Sequence, residues 1–260
     1  MELVDTHAHL DDEAFAGDLP AVLTRAAEAG VGAVVAIGTD ESSSRQVVAL
    51  AERYPSVYAC PGIHPHEAGT AGPEAVRALA DWTVHPRVVA LGETGLDYYR
   101  EFAPRPAQAA LFRAHLELAG RSGLPVVIHC RDAYPDVLAI LDEFPGVTCI
   151  FHAFSGSPQV ARECARRGHY LSFGGPLTFP GARRPVEVAR VVPLERVLLE
   201  TDAPYLSPHP FRGRRNEPAR VRVVAERLAA VRGITLEEVA AATTANAMRV
   251  LRVGGVEARA

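Results

Sequence analysis

Lysine is absent from this 260-residue sequence, and all 27 basic residues are arginine. A metal centre bridged by a carbamylated lysine is therefore excluded. Cysteine is scarce: Cys60, Cys130, Cys149 and Cys164 lie far apart, with no CxxC pair and no disulfide-framework spacing. That pattern reads as reduced thiols in a cytoplasmic protein. No apolar run approaches the ~20 residues needed to span a bilayer, and no basic stretch leads into an apolar one at the N-terminus, so neither a membrane segment nor a secretory signal is expected. Gly-rich GxGxxG and GxxxxGK[ST] loops are missing after every strand candidate, which removes the usual nucleotide sites of open α/β sheets. Excess positive charge is lacking too. With a net charge of −4, any polyanionic partner must be held by a local patch.

What is present is an ordinary globular composition, 48% hydrophobic and 22% charged, in a chain long enough for one α/β barrel of roughly 250 residues. Short β-branched runs mark strands at Glu2–Asp5, Ala33–Ile37, Val57–Cys60, Val88–Leu91, Val126–Ile128, Thr148–Phe151, Tyr170–Phe173 and Val197–Leu199. Amphipathic patterns mark helices near 19–29, 42–53, 74–83, 106–121, 134–143, 158–167 and 185–191, with two more near 217–231 and 235–251. Alternation of this kind reads as parallel βαβ units. The fold class predicted is α/β, a (β/α)8 TIM barrel in a single domain over 1–260, with extra C-terminal helices and a poorly ordered tail from about 253.

The chemistry-bearing residues recur at strand ends. His7 and His9 lie two apart, so on a strand both imidazoles face the same side and form a clamp for a divalent cation. Glu93, His129, His152 and Asp202 follow at the ends of the fourth, fifth, sixth and eighth strand candidates. In a TIM barrel these ends share the face on which active sites are built. Five or six N/O ligands exceed what one tetrahedral ion takes and suit two ions bridged by a carboxylate, with Glu93 as the bridge.

Seven ordered motifs carry a family resemblance. They are Asp5-Thr6-His7-Ala8-His9-Leu10, Gly62-Ile63-His64-Pro65-His66, Gly92-Glu93-Thr94-Gly95-Leu96-Asp97-Tyr98-Tyr99, the segment Pro125 to Ala133, His152-Ala153-Phe154-Ser155-Gly156, the segment Glu200 to Leu206, and Arg212-Gly213-Arg214-Arg215-Asn216-Glu217-Pro218. From residue 3 to about 250 the chain resembles the TatD family of metal-dependent deoxyribonucleases. The resemblance implies an amidohydrolase-type barrel and two divalent ions, Mg²⁺ in function with Mn²⁺ or Zn²⁺ as alternatives. It also implies hydrolysis of DNA or RNA phosphodiesters, often as a 3′–5′ exonuclease, and a place in DNA repair. One ion would take His7, His9, Glu93 and Asp202, and the other Glu93, His129 and His152. Ala8 and Ala153 stand where cysteine is common in the family, and Arg214 where lysine is common; none of them is a ligand.

Asp202 is the expected proton acceptor for the attacking water, with Glu93 beside it as a catalytic carboxylate. His64, His66, Arg131, Arg212, Arg215 and Asn216 are expected substrate contacts. Tyr205–Arg222 holds Arg212, Arg214, Arg215, Arg220 and Arg222 against Glu217, a local charge of +4 that reads as a track for a nucleic-acid backbone. Glu200 is expected to support a histidine from behind, and Tyr98, Tyr99 and Phe154 to stack on bases. The expected partner is single-stranded DNA or RNA, with no obligate protein partner. The alternative is hydrolysis of a carboxylic ester or amide on the same metals, including deacylation of aminoacyl-tRNA.

Overall fold

A computed structural model describes residues 2–253, and residues 254–260 of the expected tail lie outside them. Among the described residues, eight strands alternate with helices: β1 (Leu3–Ala8), α1 (Leu19–Glu28), β2 (Val31–Ile37), α2 (Glu41–Arg53), β3 (Val57–Cys60), β4 (Leu91–Asp97), α3 (Arg105–Ser122), β5 (Val126–Arg131), α4 (Tyr134–Asp142), β6 (Cys149–Phe151), α5 (Pro158–Arg166), β7 (Tyr170–Phe173), α6 (Arg183–Val191) and β8 (Val197–Leu199). Two further helices follow, α7 (Val221–Arg232) and α8 (Leu236–Leu251). Two elements depart from expectation. The run Pro73–Val84 is 3₁₀ rather than α-helical. The fourth strand starts at Leu91 and runs through Glu93 to Asp97, instead of ending before Glu93.

The chain forms two compact units. One is drawn from both ends of the sequence, up to Ala36 and from Ala153 onward; the other runs from Ile37 to His152.

In the first unit, β1 pairs in parallel with β2, and β7 with β8. A bridge from Ala8 to Ala203 joins β1 to the segment after β8. Every residue of β1 is buried, as expected for a parallel strand covered on both faces. Helix α8 starts on a capping box, in which the Thr235 side chain and the Glu238 side chain each satisfy the other's backbone N–H.

In the second unit, β4, β5 and β6 pair in parallel, and a bridge from Ala59 to Val88 brings β3 alongside. Phe112 and Phe151 are fully buried here, each contributing about 1.5–3 kcal/mol by the area it removes from water. Asp40 caps α2 by accepting a 2.7 Å hydrogen bond from the Ser43 N–H. Gly95 shows why β4 escapes a propensity reading. A Cβ there would lie 2.1 Å from the His129 carbonyl oxygen, so only glycine lets β4 approach β5 this closely. Among the described residues no helix is long and apolar enough to cross a membrane.

Candidate metal-binding clusters

The first unit assembles His7, His9 and Asp202, whose ligand atoms lie within 4.8 Å of one another. Asp202 Oδ1 is 3.7 Å from His7 Nε2 and 3.4 Å from His9 Nε2. His7 is fully buried and Asp202 nearly so. Backbone pairing sets this geometry. The Asp202 N–H donates to the His7 carbonyl at 2.8 Å, and the His9 N–H donates to the Ala203 carbonyl at 2.7 Å. Asp202 itself takes φ of 58°, a left-handed conformation that aspartate tolerates better than most residues and that is often found at functional positions.

Behind the cluster, the buried Asp5 carboxylate accepts from the Thr201 N–H at 2.8 Å and from the Thr201 hydroxyl at 2.5 Å. Burial pushes the Asp5 carboxyl up to about 8 despite those bonds. Glu200 is also fully buried, and its Oε1 accepts from the Ala153 N–H at 2.7 Å.

The second unit gathers Glu93 with His64, His129 and His152. Glu93 Oε1 lies 2.9 Å from His129 Nδ1, 2.8 Å from His152 Nε2 and 3.6 Å from His64 Nε2. Burial works to raise the Glu93 carboxyl, but the surrounding imidazoles prevail and hold it well below the usual carboxylate range. Burial pushes His64 down to about 4. An ionised carboxylate and a neutral imidazole are the protonation states that ligate metals. His64, His66 and His129 also bring ligand atoms within 4.8 Å of one another.

Asp97 was missed by the sequence reading. Its Oδ2 lies 2.9 Å from His66 Nε2 and 3.1 Å from His129 Nε2, so it orients both rings. Its Oδ1 accepts from the N–H groups of Tyr99 and Arg100 at 2.9 and 2.8 Å. This Asx turn is encoded by an aspartate two residues ahead of the amide it caps, and that was the available signal. His115, which lies in none of the motifs, is a buried brace. Its Nε2 accepts from the Ile63 N–H at 3.1 Å and its Nδ1 donates to the Leu111 carbonyl at 2.9 Å, fixing the loop that carries His64.

The arginine track is corrected in part. Arg215 makes a two-pronged pair with Asp18 at 2.7 and 2.8 Å and donates to the Ala14 carbonyl. Arg220 donates to Ser207 and to the Arg215 carbonyl, and Arg222 pairs with Glu226. These guanidinium groups hold the fold. Asn216 is fully buried and donates to the Thr201 and Tyr205 carbonyls at 2.8 and 2.7 Å, so it braces the Asp202 segment instead of meeting substrate. Arg212 remains exposed over the Phe179 ring, and Arg131 is exposed over Tyr99. Of the expected stacking residues, Phe154 is buried and the Tyr98 hydroxyl is held by Asp136. A cavity of about 650 Å³, lined by residues that include Phe179, Arg183, Arg190 and Arg227, contains none of the cluster residues.

These two donor sets agree with the comparisons to known proteins. The model of the TatD related DNase family matches residues 4–252. The chain belongs to the TatD family. It is 44% identical to the uncharacterized metal-dependent hydrolase YabD of Bacillus subtilis, over 96% of this chain and 99% of that one. It is 37% identical to the 3′-5′ ssDNA/RNA exonuclease TatD of Salmonella typhimurium, over 96% and 99% of the two chains. Among solved structures, the TatD homologue YjjV of Escherichia coli superposes with a TM-score of 0.91 at 34% identity, covering 96% of this chain and 98% of that one. As a TatD family member the protein has the (β/α)8 barrel fold and is a metal-dependent hydrolase.

The donor sets suit divalent cations. Imidazole nitrogens and carboxylate oxygens are mixed in each, which fits Mg²⁺, Mn²⁺ and Zn²⁺ chemistry and excludes a thiolate site.

Proposed function

We propose that this TatD family member hydrolyses phosphodiester bonds of single-stranded DNA or RNA, working from the 3′ end with two divalent ions. The observation that carries the reading is the buried pair of His/carboxylate donor sets, each with its ligand atoms a few ångströms apart. A relative named as a 3′-5′ ssDNA/RNA exonuclease supports the choice of substrate. His7, His9 and Asp202 would hold one ion, and Glu93, His129 and His152 the other. Bound divalent cations supply Lewis acidity toward the phosphoryl oxygens and lower the pKa of a coordinated water.

The remaining work falls to side chains. Asp202 accepts the proton of the attacking water, its carboxylate aimed by the backbone bond to His7. Glu93 stays ionised among its imidazoles and keeps the second donor set anionic. Arg131, which has an exposed guanidinium, contacts a substrate phosphate.

The test is degradation of 3′-labelled single-stranded DNA and RNA by the purified protein in EDTA, Mg²⁺, Mn²⁺ or Zn²⁺, with an aminoacyl ester assayed in parallel. Stepwise shortening from the 3′ end that needs metal, and that drops at least 100-fold in Asp202→Asn, is expected. Ester cleavage without phosphodiester cleavage under every metal would overturn the proposal and install the esterase reading.

A further inference from the structure

Two of the large apolar side chains left most open to solvent lie on the loop that follows β4, the strand that carries Glu93. Tyr99 is 60% exposed and Phe102 67% exposed. Neither is a loose surface ring. The loop that carries them is braced at both ends by a single buried side chain, Gln108 of α3. Its amide donates to the Asp97 carbonyl at 3.2 Å and to the Ala103 carbonyl at 2.8 Å, while its oxygen accepts from the Asp97 N–H at 2.8 Å. Asp97 in turn caps the Tyr99 and Arg100 amides. Phe102 meets the His66 ring edge-on at 4.7 Å, and His66 bonds Asp97, which also bonds His129. The backbone under both rings is thus held, and Phe102 packs beside His66, one of the clustered histidines.

Their surroundings are cationic. The guanidinium of Arg131 lies 4.7 Å from the Tyr99 ring centre and that of Arg100 lies 5.7 Å from it. Asp136 accepts from the Tyr98 hydroxyl at 2.7 Å. Exposed aromatic rings, one of them with guanidinium groups over it, have the complement of one ligand class. An unpaired nucleobase offers a flat π-face, and the adjoining phosphate offers a negative charge.

We propose that Tyr99 and Phe102 form a stacking platform for unpaired bases of the substrate strand, with Arg100 and Arg131 holding the phosphates beside them. The proposal rests on the nucleic-acid reading above and adds to it the residues that make the protein recognise bases as well as backbone. Rings carried on a braced backbone lose less conformational entropy on stacking than rings on a loose loop, and the platform selects single strands, whose bases are free to splay.

The test compares a normal single-stranded oligonucleotide with one whose sugars carry no bases, using wild type, Tyr99→Ala, Phe102→Ala, Tyr99→Phe and Phe102→Tyr. Each alanine variant should raise KM for the base-bearing strand on the order of 10-fold, the usual worth of one stacked base. Kcat and the cleavage of the base-free strand should stay within about twofold. The Phe and Tyr exchanges should restore KM. Quenching of a 2-aminopurine placed in the strand should be seen with wild type and lost in the double alanine variant. Wild-type cleavage that is indifferent to both alanine changes overturns the platform while leaving the nuclease reading intact. Failure of wild type to cleave or bind any strand overturns both. A concentration-dependent dimer that Phe102→Ala dissolves would assign the rings to a second copy of this chain and likewise overturn the platform.

Discussion

Thr201 gives Asp5 both of its hydrogens, one from the backbone and one from the hydroxyl, at 2.8 and 2.5 Å. Because Asp5 precedes His7 by two residues and Thr201 precedes Asp202 by one, this contact fixes the histidine pair against its carboxylate. Replacing Thr201 by valine keeps the shape and removes one hydrogen-bond partner of the buried Asp5 carboxyl group. A loss of about 1–3 kcal/mol in urea unfolding is expected, with a matching fall in bound metal measured on the purified protein.

Gly62 packs against the backbone of Gly92. An added Cβ would fall 2.2 Å from the Gly92 carbonyl carbon, next to Glu93. Gly62→Ala should therefore destabilise by about 1–3 kcal/mol and loosen metal binding by moving Glu93. A variant with wild-type melting temperature and metal content would show that β3 and β4 can part without consequence.

Acid should weaken the fold through His169. Burial lowers this buried histidine to about 4, whereas an unfolded chain holds it near 6.5. Above 6.5 the ring is neutral in both states and its contribution is intact. As the pH falls from 6.5 to 4 the unfolded state takes the proton first, and stability is lost, up to roughly 3 kcal/mol. The stability difference between wild type and His169→Asn, followed by urea unfolding from pH 7 to pH 4, should shrink by that order.

Arginines that look alike in sequence should behave differently on nucleic acid. Arg131→Ala should lower the slope of log K against log salt by about 0.7, one phosphate contact on a single strand. Arg215→Ala, whose guanidinium is committed to Asp18, should leave the slope unchanged. Fluorescence anisotropy at several salt concentrations separates the two.

Metal removal should be visible in the fold itself. Adding Mn²⁺ or Zn²⁺ to EDTA-treated protein at 100 times its dissociation constant should raise stability by about 2.7 kcal/mol. Glu93→Gln should blunt that gain in thermal unfolding.

The sequence made the clustered His, Glu and Asp residues legible because metal chemistry restricts candidate ligands to few side-chain types at strand ends. His7 and His9 follow from a two-residue spacing on an apolar strand, β2 and β8 from dense Val, Ile and Leu, and β3 and β7 from short runs that mix aromatic and aliphatic residues. The span of β4 was illegible, since Gly92, Glu93 and Gly95 disfavour strands, Thr94 alone among them favours one, and the segment is held there by pairing with β5. Arg215 and Asn216 carried the right residue types for substrate contact, but partners distant in sequence, Asp18 and Thr201, absorb their hydrogen-bonding capacity. Phe102 sits in no motif, and only the folded loop shows it exposed beside His66.

The Gln108 clasp has a corollary. One carboxamide on α3 pins the two posts of the 97–103 loop, so the residues strung between them carry little of the burden of stability. Side chains hung there should be exchangeable while the barrel and its His/carboxylate clusters stay as they are.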